Sequence, residues 1–405
     1  MILIGFKTKD EVSPQEKKAP TKNKSMITRI CSFLSQIYFL KANYRNILQV
    51  INSHPLNPHI LSIKIFCFSL FGLLCSSLLG QTSFNSSIRA LHVIDSNRAV
   101  FVGSGGLVGY TEDGGMSWDT TRWGSRSYRA CSVVNGHLLA ASIESPGVVI
   151  KAPLTSLSST TTTFEDTHDG TFFDSMKFFD FNDGILMGDA TPDTAGDICL
   201  SIYITSDSGD HWKRVQCSNL PEHIEGEAAF AASNGNISCF GDRVWIATGG
   251  KVSRVFYSSD KGATWVAYAT PLIQGGTMTG AFCVDFKNSN EGILIGGDWE
   301  DMSLNKGNLA YTSDGGETWD LRSDGEGPGY RSCVVWHPLN SEECVAIGSK
   351  GIDYSTDSGL HWEHISDDSF YTGRFSPNGK FLWLAGHQSI KRVDMNNFIY
   401  SAIND

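Results

Sequence analysis

Between residues 279 and 323 the chain alternates short apolar runs with polar turns. "AFCVDF" (281–286), "GILIGGD" (292–298), "NLAYTS" (308–313) and "TWDLR" (318–322) are rich in β-branched, aromatic and other apolar residues, and Gly, Asn, Asp and Ser separate them. This is the pattern of four consecutive antiparallel strands, a to d from the first to the last. The layout recurs in units of about 87–122, 127–167, 172–217, 225–270, 279–323, 329–366 and 369–403. A period of 40–55 residues made of strands predicts the blades of a propeller. The expected fold is all-β: a seven-bladed β-propeller of four-stranded antiparallel blades over 81–405. Six or eight blades stay open, because the seventh unit shows only "FLWLAG" and "SIKRVD" clearly.

A second periodicity sits on the first. "YTEDGGMSWDT" (110–120), "YITSDSGDHWKRV" (203–215), "FYSSDKGATWVAY" (256–268), "AYTSDGGETWDLR" (310–322) and "DYSTDSGLHWEHI" (353–365) share Ser/Thr-x-Asp-x-Gly-x-x-Trp, with Ser, Thr or His before the Trp. The gaps between the Trp residues are 94, 53, 54 and 43, so one box is missing near 128–168. Each box falls at a c–d turn. Asp can bond turn N–H groups, Gly can take a positive φ, and the Ser/Thr hydroxyl adds a local bond. The Trp then packs between sheets. The box residues Asp113, Gly115, Trp118, Asp207, Gly209, Trp212, Asp260, Gly262, Trp265, Asp314, Gly316, Trp319, Asp357, Gly359 and Trp362 are therefore expected to be structural staples.

The five boxes, with runs such as "MKFFDFNDGILMGDA", "VDFKNSNEGILIGGD" and "GYRSCVVW", make 87–403 resemble the Asp-box (BNR-repeat) propellers. Within these the chain looks most like the photosystem II stability/assembly factor family and its bacterial relatives. That resemblance implies a non-enzymatic scaffold that holds a membrane-protein partner during biogenesis. The same propellers include sialidases, so a glycoside hydrolase or a glycan-binding propeller is the alternative. The Arg-Ile-Pro segment of sialidases is absent from the blades, and sialidases have six blades.

Charge divides the chain near residue 80. Residues 1–80 carry ten Lys/Arg and three acids, whereas 81–405 carry 22 basic and 40 acidic residues, a net charge of −18. An acidic body argues against nucleic-acid binding. "KIFCFSLFGLLCSSLLGQ" (64–81) has the charged start, apolar centre and small-residue exit of a signal peptide, placed at 62–80. Export to the periplasm or beyond is expected, with a membrane anchor as the less favoured reading. Residues 1–61 are read as an over-extended or disordered leader. Seven of the ten cysteines follow this leader. Cys199 and Cys217 flank one box and are the one pair placed to face each other across a hairpin. Cys131, Cys283 and Cys333 fall at equivalent repeat positions and are expected to be buried thiols. No metal-ligand spacing, phosphate loop or dinucleotide fingerprint occurs, so neither metal nor cofactor is expected.

Function is sought on the face opposite the boxes, at the starts of the a strands and in the b–c loops. Aligning "RALHVID", "RACSVVN", "DSMKFFD", "EAAFAAS", "AFCVDF", "RSCVVWH" and "RFSPN" gives the column Arg89, Arg129, Asp174, Glu227, Ala281, Arg331, Arg374. Four arginines and two acids would ring the channel mouth, with Tyr128 and Tyr330 beside them. Asp189, Asp298 and Trp299 of the long b–c insertions and His387 of the seventh b–c loop share that rim. Arginines suit the capture of a carboxylate or other anion, with stacked aromatic rings. The alternative is that these charges neutralise one another and lace the blades. A protein or peptide partner, such as a membrane-protein segment, would dock here, and the scaffold is expected to be a monomer. For a hydrolase, Asp174, Glu227 and Tyr330 would be the catalytic set.

Overall fold

A computed structural model describes residues 81–404. The leader assigned to 1–61 and the signal peptide at 62–80 lie outside the described residues. Within them, seven antiparallel blades follow one another. The a strands are Ile88–Val93 (the second half of Gln81–Val93), Tyr128–Val134, Phe173–Phe178, Ile237–Phe240, Thr279–Phe286, Cys333–Trp336 and Thr372–Phe375. Each pairs with its b strand, b with c, and c with d.

The first strand serves two blades. Its start, Gln81–Ser87, pairs with His387–Asp394 as the outer strand of blade 7, and its end, Ile88–Val93, pairs with Ala99–Gly103 as the inner strand of blade 1. One continuous strand thus ties the last blade to the first and covers an otherwise open sheet edge. The polar run "QTSFNSS" gives little apolar signal for this strand; its one large apolar residue, Phe84, packs against Phe101 and Trp118, and Ser86 on the same face is buried.

The b strands Ala99–Gly103, Arg243–Ala247, Cys344–Gly348 and Phe381–Ala385 are almost wholly buried. They are covered on both faces by neighbouring blades, so they read as continuous apolar runs rather than alternating ones. Aromatic rings fill the seams. Trp245 of blade 4 stacks on Phe286 of blade 5 at 3.7 Å, and the box residue Trp319 meets the same ring edge-on at 5.8 Å.

The box turns share one hydrogen-bond scheme. In the fourth, Thr312 Oγ1 donates to Asp314 Oδ1 (2.7 Å), the Gly316 and Thr318 amides donate to Thr312 Oγ1 and Asp314 Oδ1 (3.0 Å each), and Thr318 Oγ1 donates to Asp314 Oδ2 (2.6 Å). Where His replaces Ser or Thr, Nδ1 of His211 or His361 takes the last place, 2.6 Å from Asp207 or Asp357. The residue before Trp is therefore Ser, Thr or His because it must bond the second carboxylate oxygen. The box Gly has φ of 79° to 90°, and the residue before it is also left-handed, at 55° to 86°. In four boxes the Trp ring N–H returns to the box Gly carbonyl at 2.9–3.1 Å.

One unit departs from the sequence alignment. Blade 4 begins at Ile237, not at "EAAFAAS". Glu227–Ala228 instead forms a short strand on Gly249–Gly250, in the b–c connection of blade 4.

Candidate functional site

The residues skipped by blade 4 fill the centre of the ring. Ala229 to Ser233 and Asn234 are all buried, and Asn236 is 0% exposed. This segment is a plug tied to the blades around it. Ala232 O accepts from Arg89 Nη1 of blade 1 (3.3 Å), and Ser233 O accepts from Thr372 Oγ1 of blade 7 (2.8 Å). Asn234 spans two blades at once. Its Oδ1 accepts from Ser175 Oγ (3.1 Å) and Met176 N (3.0 Å), while its Nδ2 donates to Cys131 O (2.8 Å). Asn234 has φ 53°, a left-handed conformation that Asn tolerates better than most residues. Gly235 O accepts from Val284 N of blade 5 (2.9 Å). A Cβ on Gly235 would lie 2.6 Å from Cys283 Sγ, so only glycine fits there. Phe230 stacks on Phe282 at 4.0 Å and anchors the start of the plug.

The plug closes the channel on the face where the a strands begin, and this rearranges the anticipated ring. The register Thr372↔Ala385 matches Ala90↔Val102 and Ala130↔Ala141. The seventh member of the column is therefore Tyr371, and Arg374 lies three residues deeper, inside the channel. Arg89 stacks over Tyr371, 3.9 Å from its centroid. Arg331 is 5% exposed and pairs with Asp353 at 2.7 Å. Glu227 accepts from Thr248 Oγ1 (2.6 Å) and from Arg254 Nε (3.0 Å), off the innermost strand altogether. Tyr128 donates to Trp123 O (3.2 Å), and Tyr330 packs edge-on to Phe282.

Asp174 is fully buried beneath the plug. Burial, then the Asp189 carboxylate, push its carboxyl well above the usual range, with Arg129 and the Ala231 N–H pulling the other way. Burial pushes Asp189 up to about 6 and lowers Arg129, which Arg89 also repels. Asp298 caps the following loop through Glu300 N (2.8 Å), Trp299 is 47% exposed, and His387 is exposed at the seam with Ser87. Arg89, Arg129, Asp174 and Asp189 are thus brought together, whereas Glu227, Arg331 and Arg374 are committed elsewhere. The proposed hydrolase set does not gather: Glu227 is paired off, and Tyr330 is 3% exposed in an aromatic contact.

The other end of the channel is open. A 410 Å³ pocket is lined from all seven blades, with Asn234 and Gly235 of the plug as its floor. Its outer wall is made of a-strand ends and a–b loops, including Phe178, Trp336, Pro338 and Phe375, so it opens on the box face. Besides the thiols of Cys131, Cys239 and Cys283, four titratable groups line it: His92, Lys177, Asp285 and Arg374. Burial, then Lys177 and Arg374, push the His92 imidazole down to about 3 and keep it neutral. Burial raises Asp285 to about 6, against the Trp336 N–H that it accepts at 2.9 Å. Burial and Arg374 lower Lys177. Arg374 donates to Gly373 O (2.7 Å), Asn234 O (2.8 Å), Ser233 O (3.1 Å) and Cys333 Sγ (3.2 Å). A 330 Å³ groove shares His92, Val93, Ser132 and Phe178 with the channel and runs to Phe181, which is 73% exposed.

Sequence alignment missed this site because "EAAFAAS" imitates an a strand. Two signals were available: the run of small residues at 231–236, and Lys177 within the apolar run "MKFF" of residues 176–179. Among the remaining cysteines, Cys131, Cys283 and Cys333 are buried thiols, and Cys199 is joined to Cys217 by a disulfide.

These observations define the chain as a seven-bladed β-propeller with a plugged central channel. No protein-family model matches the chain, and no curated protein matches it. Among solved structures it is similar to one described as "YCF48 bound to D1 peptide", with a TM-score of 0.55 and 16% identity over 78% of this chain and 95% of that one. It is also similar to YCF48 from Cyanidioschyzon merolae, with a TM-score of 0.55 and 13% identity over 78% of this chain and 99% of that one. At such identities the likeness establishes the fold.

Proposed function

We propose that this chain is an exported, non-enzymatic scaffold that docks a protein or peptide partner, such as an extracytoplasmic segment of a membrane protein, at its channel mouth. The observation that carries the proposal is the plug. It turns the central channel into a one-ended pocket with polar and charged walls and an aromatic mouth, a form suited to receiving part of another chain. The fold likeness to a propeller described as bound to a peptide supports the same reading. Export rests on the run at 62–80 and would be read from cell fractionation of the full chain.

The test uses arrays of peptides tiled from extracytoplasmic segments of the source organism's membrane proteins, probed with residues 81–405. A Ser132→Trp variant serves as the channel-blocked control, since Ser132 lines both the pocket and the groove. The proposal predicts discrete peptides retained by the parent and lost by the folded variant. Equal retention by both would place docking elsewhere.

A further inference from the structure

We infer that the channel takes its partner by a peptide C-terminus, with the terminal carboxylate held by the Lys177 ammonium inside the one-ended pocket. This rests on the scaffold reading above and specifies which part of the partner enters. Three features lead to it.

The first is that the pocket has one mouth. The floor residues Asn234 and Gly235 are fixed by hydrogen bonds to blades 2, 3 and 5, so a chain cannot thread through. A chain end can occupy such a pocket; an uninterrupted segment would have to fold back on itself.

The second is the state of the charges. Lys177 makes no hydrogen bond and no ion pair among the described residues, although it lines the pocket, so all three of its donors are free for a ligand. Arg374, the other cation, has donors engaged with the carbonyls of Gly373, Ser233 and Asn234, and it adds positive potential beside Lys177. The one carboxylate in the pocket, Asp285, already accepts from the Trp336 amide (2.9 Å). His92 faces the same space as a neutral imidazole. An incoming α-ammonium would meet two cations, whereas an α-carboxylate would complete the Lys177 shell with charge-assisted bonds.

The third is the groove from the mouth toward Phe181. Val93, Ile94, Val133 and Phe178 give it apolar walls, and the exposed Phe181 ring sits at its outer end. Residues preceding the terminus would lie there, so an apolar residue a few places before the carboxylate is favoured.

The experiment compares two mixtures of fluorescein-labelled octapeptides, randomised at the last four positions and identical except for a free carboxylate or a carboxamide end. Binding to residues 81–405 is read by fluorescence anisotropy. The expected result is at least tenfold tighter binding of the acid mixture, lost in Lys177→Gln and kept in Lys177→Arg. Equal binding of both mixtures by the parent would overturn the carboxylate inference and leave the scaffold reading standing. Failure of both mixtures to bind would sink both readings. Inorganic phosphate competing fully, with no discrimination between the mixtures, would reassign the pocket to a small anion. Lys177→Gln makes no hydrogen bond unpaired, so the variant is expected to fold; its thermal transition checks this.

Discussion

Replacing Asn234 by Ala removes the side chain that seats the plug, and the cost can be worked from its contacts. Two buried backbone groups, Met176 N–H and Cys131 C=O, lose their Asn234 partners, and Ser175 Oγ loses its acceptor. Each buried group left unsatisfied costs about 1–3 kcal/mol. Ala at φ 53° adds about 1 kcal/mol of backbone strain. The sum is at least about 4 kcal/mol, a large share of the roughly 5–15 kcal/mol that holds a typical domain folded. Urea unfolding of residues 81–405, followed by tryptophan fluorescence, measures the loss directly. Asn234→Gly separates the terms, since it relieves the strain but not the lost bonds, and should recover about 1 kcal/mol. Hydrogen exchange should quicken at Met176 in both variants. A loss below about 1 kcal/mol in Asn234→Ala, with Met176 still protected, would refute the seated plug and with it the one-ended pocket.

Three further outcomes follow from the same structure. Asp314→Ala should cost about 2–3 kcal/mol by differential scanning calorimetry, since it removes three bonds to a carboxylate. Burial opposes ionisation of that carboxyl, but bonds from Thr318 and Thr312 hold it near 2; the contribution is therefore present above the unfolded value and lost as pH falls toward 2, and the variant should lose less stability on acidification than the parent. Asp189 has the opposite sign: burial raises it to about 6, so the parent loses stability as pH rises from about 4 through 6, and Asp189→Asn should flatten that slope in urea titrations at pH 4.5 and 7.5. Parallel slopes would contradict the assignment. Deleting 81–87 uncovers the His387–Asp394 edge, and should lower the thermal midpoint and produce concentration-dependent light scattering, with an unchanged midpoint as the contrary result.

Most of the fold was legible because the boxes mark c–d turns by residue chemistry, and the buried b strands appear as uninterrupted apolar runs. "GILIGGD" and "CVAIG" could hardly be anything else. The strand at 81–87 was illegible for the opposite reason: an outer strand lies half in solvent, and its inward face carries only one large apolar residue, Phe84, beside the buried Ser86. Blade 4 misled because the plug is buried like a strand, so "AAFAAS" carries a strand's composition while its backbone bonds go to other blades. The site was legible only in its residue types. Sequence spacing could not show that Arg331 pairs with Asp353, that Arg374 lies inside the channel, or that one mouth is shut. Lys177 interrupts the apolar "MKFF" and could have been noticed, but spacing alone cannot show that it turns into the channel without a partner.

The two mouths can be told apart in one measurement. A photo-reactive benzoylphenylalanine is placed either at Phe181, on the box face, or at Trp299, on the opposite rim, and each variant is irradiated with the labelled acid peptides. Crosslinking from position 181 and not from 299, abolished by Lys177→Gln, is the predicted result. Crosslinking from position 299 alone would put the partner on the plugged face and contradict the account.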